Sequence, residues 1–318
     1  MWKYAVRRLL IAIPVLFVIS VLDFAVINLA PGDPLQAMLP PETALNIGAI
    51  NDLYKRAGLT DSIPVRYVRW MGEIARGNFG KSFRTGQPVT KMIRDALPAT
   101  LVLTVTAKLL SLLIGVPLGI LSALRERSFL DEATTFVSFI LTAIPAFFLA
   151  IISVFFFAVR LGWFPTNGMY DYNRQGEPPN LLRHLVLPAL VLGILAVPGY
   201  IRYTRASILD VAREDYIRTA RAKGLRERRV TRQHILPNAL MPLVTVIGLS
   251  LPGLIGSSVL VEQVFAWPGM GQLSINSALF RDYPVFMATA LVYAVAVLAS
   301  SILTDLTYAL INPRIRYA

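Results

Sequence analysis

Cysteine is absent from the 318 residues, and histidine occurs twice, at His184 and His234. Disulfides, thiolate nucleophiles and Cys-ligated metal sites are thereby excluded, and a His-based metal centre has almost nothing to build on. Charge is also scarce. Asp, Glu, Lys and Arg make up 16% of the chain, against about 25% in soluble domains. There is no Ser-His-Asp or His-Glu-x-x-His arrangement, no internal repeat and no low-complexity tract. Apolar residues, in contrast, make up 55%, and the mean hydropathy is +0.58. Disorder needs low hydrophobicity, so a disordered chain is excluded, and a water-soluble enzyme fits this composition poorly.

The apolar residues fall into runs. A membrane span needs roughly 20 mostly apolar residues. Six runs qualify: residues 9–29, 99–123, 135–159, 185–201, 242–265 and 285–310. The fourth is the weakest, being short and holding Pro188 and Pro198. Proline is tolerated in membrane helices because neighbouring groups re-satisfy the freed backbone. The first run is too long for the apolar core of a signal peptide, and Asn28-Leu29-Ala30 is not a small-x-small cleavage site, so it reads as an uncleaved helix. The fold expected is an all-α integral membrane protein of six helices, with residues 31–96 as a large outer loop and 202–241 as the longest cytoplasmic segment.

Orientation follows from Lys and Arg in the shorter loops. With the N-terminus inside, 17 fall on the cytoplasmic side and four outside, once the long 31–96 loop is set apart. Both termini are then cytoplasmic. The net charge of +12 is accounted for by this asymmetry. A nucleic-acid reading would want aromatic interleaving on a soluble platform, and neither is present.

In the outer loop, residues 44–57 and 65–75 have helical spacing, with Trp70 and Met71 as amphipathic anchors and a turn at 59–64. A short helix is expected at 272–279. Gly80-Lys81-Ser82 resembles the end of a phosphate-binding loop, but the position five residues before Gly80 is Ala75 where that motif needs glycine. His184 and His234 read as interfacial or packing residues.

The cytoplasmic segment carries ten basic and four acidic residues. A helix is expected over 206–223, stopped by Gly224 in the place where a left-handed glycine ends helices, and a second over 226–236 ending at Pro237. Together they form an L-shaped elbow at the membrane surface. As residues, it is either a solvated basic face that anchors the topology or a docking site for a cytoplasmic partner.

Two charges stand inside apolar runs. Asp23 and Lys108 lie roughly 6 Å and 4.5 Å to the outer side of their spans' middles at 1.5 Å per residue. Opposite charges at one depth offset each other's desolvation, so an ion pair between the first two spans is expected.

The elbow reads Asp215-Tyr-Ile-Arg-Thr-Ala-Arg-Ala-Lys-Gly224, then nine residues, then His234-Ile-Leu236-Pro237. This resembles the cytoplasmic loop of ATP-binding-cassette importer permeases, whose pattern is E-A-A-x3-G-x9-I-x-L-P. Ala220, Gly224, Leu236 and Pro237 match. Arg218 and Thr219 stand where the general pattern has Glu and Ala, and His234 where it has Ile. Tyr216 to Gly224 is similar to the peptide-importer variant. Arg7-Arg8-Leu-Leu with Pro14, Leu29-Ala-Pro-Gly-Asp-Pro34, Leu97-Pro98-Ala-Thr100-Leu101, Leu161-Gly-Trp-Phe-Pro165, Trp267-Pro-Gly-Met-Gly271, Arg281-Asp-Tyr-Pro284 and Asn312-Pro-Arg-Ile-Arg-Tyr317 extend the resemblance over nearly the whole chain. It points to the B-type permease of dipeptide, oligopeptide and nickel importers.

That resemblance implies a single transmembrane domain over 1–318, with a core at 97–311, that is not itself an enzyme and binds no cofactor. It implies a second permease, two cytoplasmic ATPases that bind the ATP, an extracytoplasmic substrate-binding protein and a bacterial inner membrane. It also implies that Arg218, Ala220, Arg221, Ala222, Lys223, Gly224, Leu236 and Pro237 couple the chain to an ATPase. Ala220 and Ala222 suit close packing. Arg218, Arg221 and Lys223 either pair with acidic residues of the ATPase or are solvated. Asp305, roughly 10 Å past the middle of the sixth span, matches an Asp of the family's C-terminal pattern and is either a pathway residue or a helix-end residue. Di- or oligopeptides are the substrates implied first, with nickel chelate, glutathione or a small glycan left open. The competing functions, an ion-coupled secondary transporter and a scaffold subunit, lack the inverted repeats and midplane acids that ion coupling wants.

Overall fold

The computed structural model describes the backbone of residues 2–29, 61–249 and 251–311, and the side chains within them except 2–6, 244, 245, 249, 251–255 and 305–311. Among the described residues the structure is helical, with one isolated bridge between Lys81 and Pro88. The expected helix at 44–57 lies outside them.

The helices in chain order are α1 (Trp2–Leu29), α2 (Ile63–Ala75), α3 (Val89–Leu124), α4 (Phe129–Ala143), α5 (Ala146–Ser153, continued as a π-helical turn Val154–Arg160), α6 (Pro178–Ala212), α7 (Asp215–Ala222), α8 (Glu227–Val230), α9 (Leu236–Leu249), α10 (Leu251–Val264), α11 (Met270–Leu279) and α12 (Tyr283–Ile311). Four are long and apolar enough to cross a membrane, namely the apolar parts of α1, α3, α6 and α12, and the bent pair α4–α5 makes a fifth if it counts as one span.

The spine is α3 against α6. On α3, residues Ala99, Leu103, Ala107, Ser111, Gly115, Gly119 and Ala123 recur every fourth position, and all are buried. Such an i+4 row forms one ridge of the helix, and small residues along it let two backbones approach closely. A Cβ on Gly115 would stand 2.7 Å from the Cβ of Tyr200, and one on Gly119 2.7 Å from the Cβ of Thr204. Across the contact, a Cβ on Gly193 of α6 would stand 2.9 Å from the Ala107 carbonyl oxygen. A methyl group at any of these three glycines forces the helices apart.

Three expected elements take a different form. The run 135–159 is broken at Ile144–Pro145, where α4 and α5 meet at 98°. Ile144 is extended (φ −81°, ψ 124°), as the residue before a proline prefers, and Pro145 caps the next helix without an N–H to lose. The fourth run, expected to be short, lies in a 35-residue helix that passes through both Pro188 and Pro198. Around the fifth run stand two 14-residue helices, α9 and α10. The chain is therefore a multi-pass helical protein, while a count of six spans goes beyond what these helices establish.

In the segment after α1, α2 begins at Ile63 with Pro64 in its first turn and docks on α1 through aromatic contacts. The rings of Tyr67 and Trp70 lie 5.5 and 5.4 Å from that of Phe24, and the Tyr67 hydroxyl shares a 2.7 Å hydrogen bond with Ser20. The short surface helix expected at 272–279 is present as α11.

Candidate coupling elbow and its supports

The elbow differs from a single 206–223 helix. α6 ends at Ala212, Glu214 is extended (φ −65°, ψ 146°), and α7 restarts at Asp215. Periodicity explains the break. Ile208 and Ile217 are nine residues apart, which on one straight helix is two and a half turns and puts them on opposite faces. The break brings both into one apolar cluster with Ala123, Ala220, Val230, Ile235 and Ala239.

At the other end of α7, Gly224 has φ +76°. Its N–H donates to the Arg221 carbonyl at 2.9 Å, and that of Leu225 donates to the Ala220 carbonyl at 3.4 Å. This pair of bonds is the Schellman helix stop, and Leu225 packs on the same apolar cluster. The chain then enters α8, a π-helical turn (Thr231–Ile235) and α9. Pro237 does not end a helix, as expected from sequence, but stands in the first turn of α9. A proline ring clashes with the carbonyl four residues back; the π turn over Thr231–Ile235 loosens that geometry.

The eight coupling candidates separate by exposure. Ala220 is buried and Leu236 half-buried, both in the elbow's own core, while Arg218, Arg221, Ala222, Lys223, Gly224 and Pro237 are exposed. Two of the cations are partnered internally. Arg218 pairs with Asp215 at 3.0 Å and Arg221 with Glu227 at 2.7 Å. Tyr216, also exposed, extends this outward face.

The elbow hangs from α6, and α6 is fastened beside it. Arg205 donates through Nε and Nη2 to the two carboxylate oxygens of Asp131, at 2.7 and 2.8 Å. Asp131 also accepts from Ser122 Oγ (2.5 Å) and the Arg127 N–H (3.0 Å). One carboxylate thus joins the end of α3, the α3–α4 turn, the start of α4 and α6.

The opposite end is held by a second buried carboxylate that sequence reading passed over. Glu262, fully buried in α10, accepts from Thr100 Oγ1 (2.8 Å), Ser258 Oγ (3.1 Å) and the N–H groups of Gly271 (2.7 Å) and Gln272 (3.3 Å). It sits at the N-terminus of α11, where backbone N–H groups and the helix dipole favour negative charge. Thr100 also accepts from the Met270 N–H at 2.8 Å, and Trp267 Nε1 donates to the Ala99 carbonyl at 2.9 Å. Two stretches singled out in the sequence, Leu97–Leu101 and Trp267–Gly271, are therefore one contact in space. The contact has room only for glycine at 269 and 271: a Cβ on either would stand within 3.0 Å of the Glu262 carboxylate.

Gly80-Lys81-Ser82 has a structural use of the same kind. Ser82 Oγ donates to Asp282 at 2.5 Å, and the Phe83 N–H donates to its other oxygen at 2.9 Å. His184 Nδ1 lies 3.1 Å from the Gly168 carbonyl and Nε2 lies 3.4 Å from Asp171. In the connection before α6, a hydrogen bond from Asn180 and the neighbouring His184 and Arg174 hold the Asp171 carboxyl below the usual carboxylate range. His234 is half-buried in the π-helical turn before α9.

The expected Asp23–Lys108 pair does not form in this structure. α1 packs on α12 and α2, and Lys108 instead donates to the Tyr200 hydroxyl of α6 and to the Ile247 carbonyl of α9 at 2.9 Å. Equal depth matched the two charges, but depth does not say which helices are neighbours. Asp23 Oδ2 is buried without a hydrogen-bond partner among the described residues. The Asp305 side chain lies outside the described residues.

Residues 115–317 match the family described as "Binding-protein-dependent transport system inner membrane component", and residues 1–104 match its N-terminal counterpart. The chain is 44% identical over 318 residues to the oligopeptide transport system permease protein AppB of Bacillus subtilis, with 100% of both chains covered. It is 37% identical over 335 residues to the dipeptide transport system permease protein DppB of Alkalihalophilus pseudofirmus, again with 100% of both covered. The glutathione transport system permease protein GsiC of Escherichia coli is 36% identical over 317 residues, with 100% of both covered. Among solved structures, the inward-facing MetNI methionine ABC transporter aligns with a TM-score of 0.57 at 22% identity, over 70% of this chain and 96% of that one. That likeness is one of fold. The chain belongs to the inner membrane components of binding-protein-dependent transport systems and is a multi-pass membrane permease.

Proposed function

We propose that the chain is one of two permease subunits of an ATP-driven importer of di- or oligopeptides. It would work with a second permease, two cytoplasmic ATPase subunits and an extracytoplasmic binding protein that delivers the peptide. Residues 1–318 form one transmembrane domain with both termini in the cytoplasm, 31–96 face the binding protein, and 202–241 receive the work of ATP binding. The observation that carries this reading is the elbow: a short helix with a buried inner face (Ile217, Ala220) and an exposed outer face (Tyr216, Arg218, Arg221), stopped by Gly224. A part with its own core moves as a body. When the ATPases close, a rigid elbow seated on one of them passes the displacement through α6 to α3, and the bundle switches between inward-open and outward-open states. ATP is bound and hydrolysed by the partner subunits, and this chain needs no cofactor.

The names of the full-length relatives support peptides as the cargo, and glutathione, itself a tripeptide, is the second reading that the GsiC likeness favours. The test is uptake of labelled di-, tri- and pentapeptides into proteoliposomes holding the assembled complex. Uptake that requires binding protein and ATPases together is the expected result. Uptake driven by an ion gradient without the ATPases overturns the reading.

A further inference from the structure

Two cavities lie against α6 and share two residues. One, of about 290 Å³, is lined by Thr135, Ser138, Thr142, Arg202 and Arg205 among others. The second, of about 350 Å³, runs from Thr142 and Arg202 along Leu192, Ala196, Pro198 and Tyr200 to Val246 and Ser257. Because Thr142 and Arg202 belong to both, the two form one groove over α4, α6, α9 and α10.

The chemistry along the groove is uneven. Thr135, Ser138 and Thr142 are three and four residues apart, so they share one face of α4. The Ser138 hydroxyl is shut off from solvent without a hydrogen-bond partner. Of the two arginines, Arg205 is neutralised by Asp131. Arg202 is exposed and has no carboxylate within ion-pair distance among the described residues. Tyr200, where the second cavity approaches α3, is held by Lys108. The remaining wall is mostly apolar, with Phe139 and Tyr203 among aliphatic residues and Ser257 at the far end.

Inside membranes, polar side chains such as this hydroxyl stripe line bundle interiors or water-filled passages, and Arg202 stands where the groove reaches the cytoplasmic segment. One cation beside a long neutral wall also defines its guest. It suits a molecule with a carboxylate at one end and a body of variable, mostly uncharged side chains. A peptide with a free C-terminus has that form.

Resting on the peptide reading above, we infer that this groove is the chain's share of the translocation path and that Arg202, with the Ser138 hydroxyl, binds the C-terminal carboxylate of the passing peptide. Arg205, committed to Asp131, has no part in it.

The experiment uses the complete complex in proteoliposomes, with the binding protein loaded with a labelled tripeptide or with its C-terminal amide. Arg202→Gln is expected to lower free-acid uptake about tenfold, the worth of a charge-assisted hydrogen bond. Amide uptake should stay near wild type, and Arg202→Lys should keep most of the preference for the acid. An acid-to-amide ratio unchanged in Arg202→Gln overturns the inference. Since the chain has no cysteine, Thr142→Cys, at an exposed position that lines both cavities, gives an independent measure that holds even if Arg202→Gln fails to assemble. It should react with a water-soluble thiol reagent, and peptide should slow the reaction. Reaction only with a membrane-permeant reagent, or protection by phosphatidylglycerol vesicles without peptide, assigns the groove to lipid and overturns the inference. A wild-type complex that imports no peptide overturns the peptide reading and this inference with it, whereas peptide import indifferent to Arg202 overturns this inference alone.

Discussion

The Asp131 carboxylate takes both Nε and Nη2 of Arg205, at 2.7 and 2.8 Å, while Ser122 and the Arg127 backbone fill its remaining sites. The carboxylate side chain is 6% exposed and the arginine 30%. Removing one partner leaves a charge with little water to turn to. Asp131→Asn and Arg205→Met are each expected to destabilise the assembled complex by about 1.5–3 kcal/mol, the range for hydrogen bonds to charged groups. The double change should recover part of that loss, because it strands no charge. Thermal midpoints of the four proteins in detergent measure the coupling. Strictly additive losses would mean that the two side chains do not act as a pair.

Glu262 gives a prediction at the other end of the bundle. Glu262→Ala strands the Thr100 and Ser258 hydroxyls and the Gly271 N–H, each a buried donor worth about 1–3 kcal/mol when left unpaired, along with the half-buried Gln272 N–H. Glu262→Gln keeps an acceptor and should cost less. Gly271→Ala should act like Glu262→Ala, since its Cβ would stand 2.6 Å from the Val259 Cα, a backbone atom that cannot swing aside. Thermal unfolding of the purified complex ranks the three. An unchanged midpoint in Glu262→Ala would remove the carboxylate from its place as the cap of α11.

How much of this was legible beforehand differs by feature. Hydropathy located the long helices because twenty apolar residues leave few alternatives. It did not see the 98° turn after Ile144, and proline alone did not supply it. Pro98, Pro117, Pro188 and Pro198 all stay inside continuous helices, so a proline marks a possible break and the neighbouring packing decides. The α3 ridge went unread, because its small residues every fourth position, with Leu103 among them, are invisible to hydropathy, which scores Gly and Ala as unremarkable. Gly224 was readable because a left-handed residue after a helical run has few other uses. Glu262 was not, because a lone acid near the end of an apolar run looks like any helix-end charge until the α11 backbone folds onto it.

Gly224 separates backbone strain from crowding. Its φ is +76° and nothing lies within 4 Å of where a Cβ would be. The cost of a side chain is therefore conformational, roughly 1–2 kcal/mol for an ordinary L-residue in that region and less for Asn. Gly224→Asn should transport nearly as wild type. Gly224→Ala should fall below it, and Gly224→Val furthest, with membrane insertion intact in all three. ATPase-subunit pull-down and peptide uptake from the same membranes give the order. Wild-type uptake with Gly224→Val would sink the rigid-elbow account.

The orientation can be tested with two single cysteines, because there is no native thiol to subtract. Ser62 is exposed at the start of α2, and Asp210 is exposed near the end of α6, beside the elbow. Seventeen Lys and Arg in the segments assigned to the cytoplasm, against four in the shorter segments on the other side, predict residue 62 outside and residue 210 inside. An impermeant maleimide applied to intact spheroplasts should then label Ser62→Cys and leave Asp210→Cys unmodified, and in inverted vesicles the two should exchange. Neither substitution touches the Glu262 or Asp131 contacts, so loss of expression should not confuse the readout. Labelling of residue 210 from outside would turn the whole assignment over, because the elbow would then face away from any ATPase.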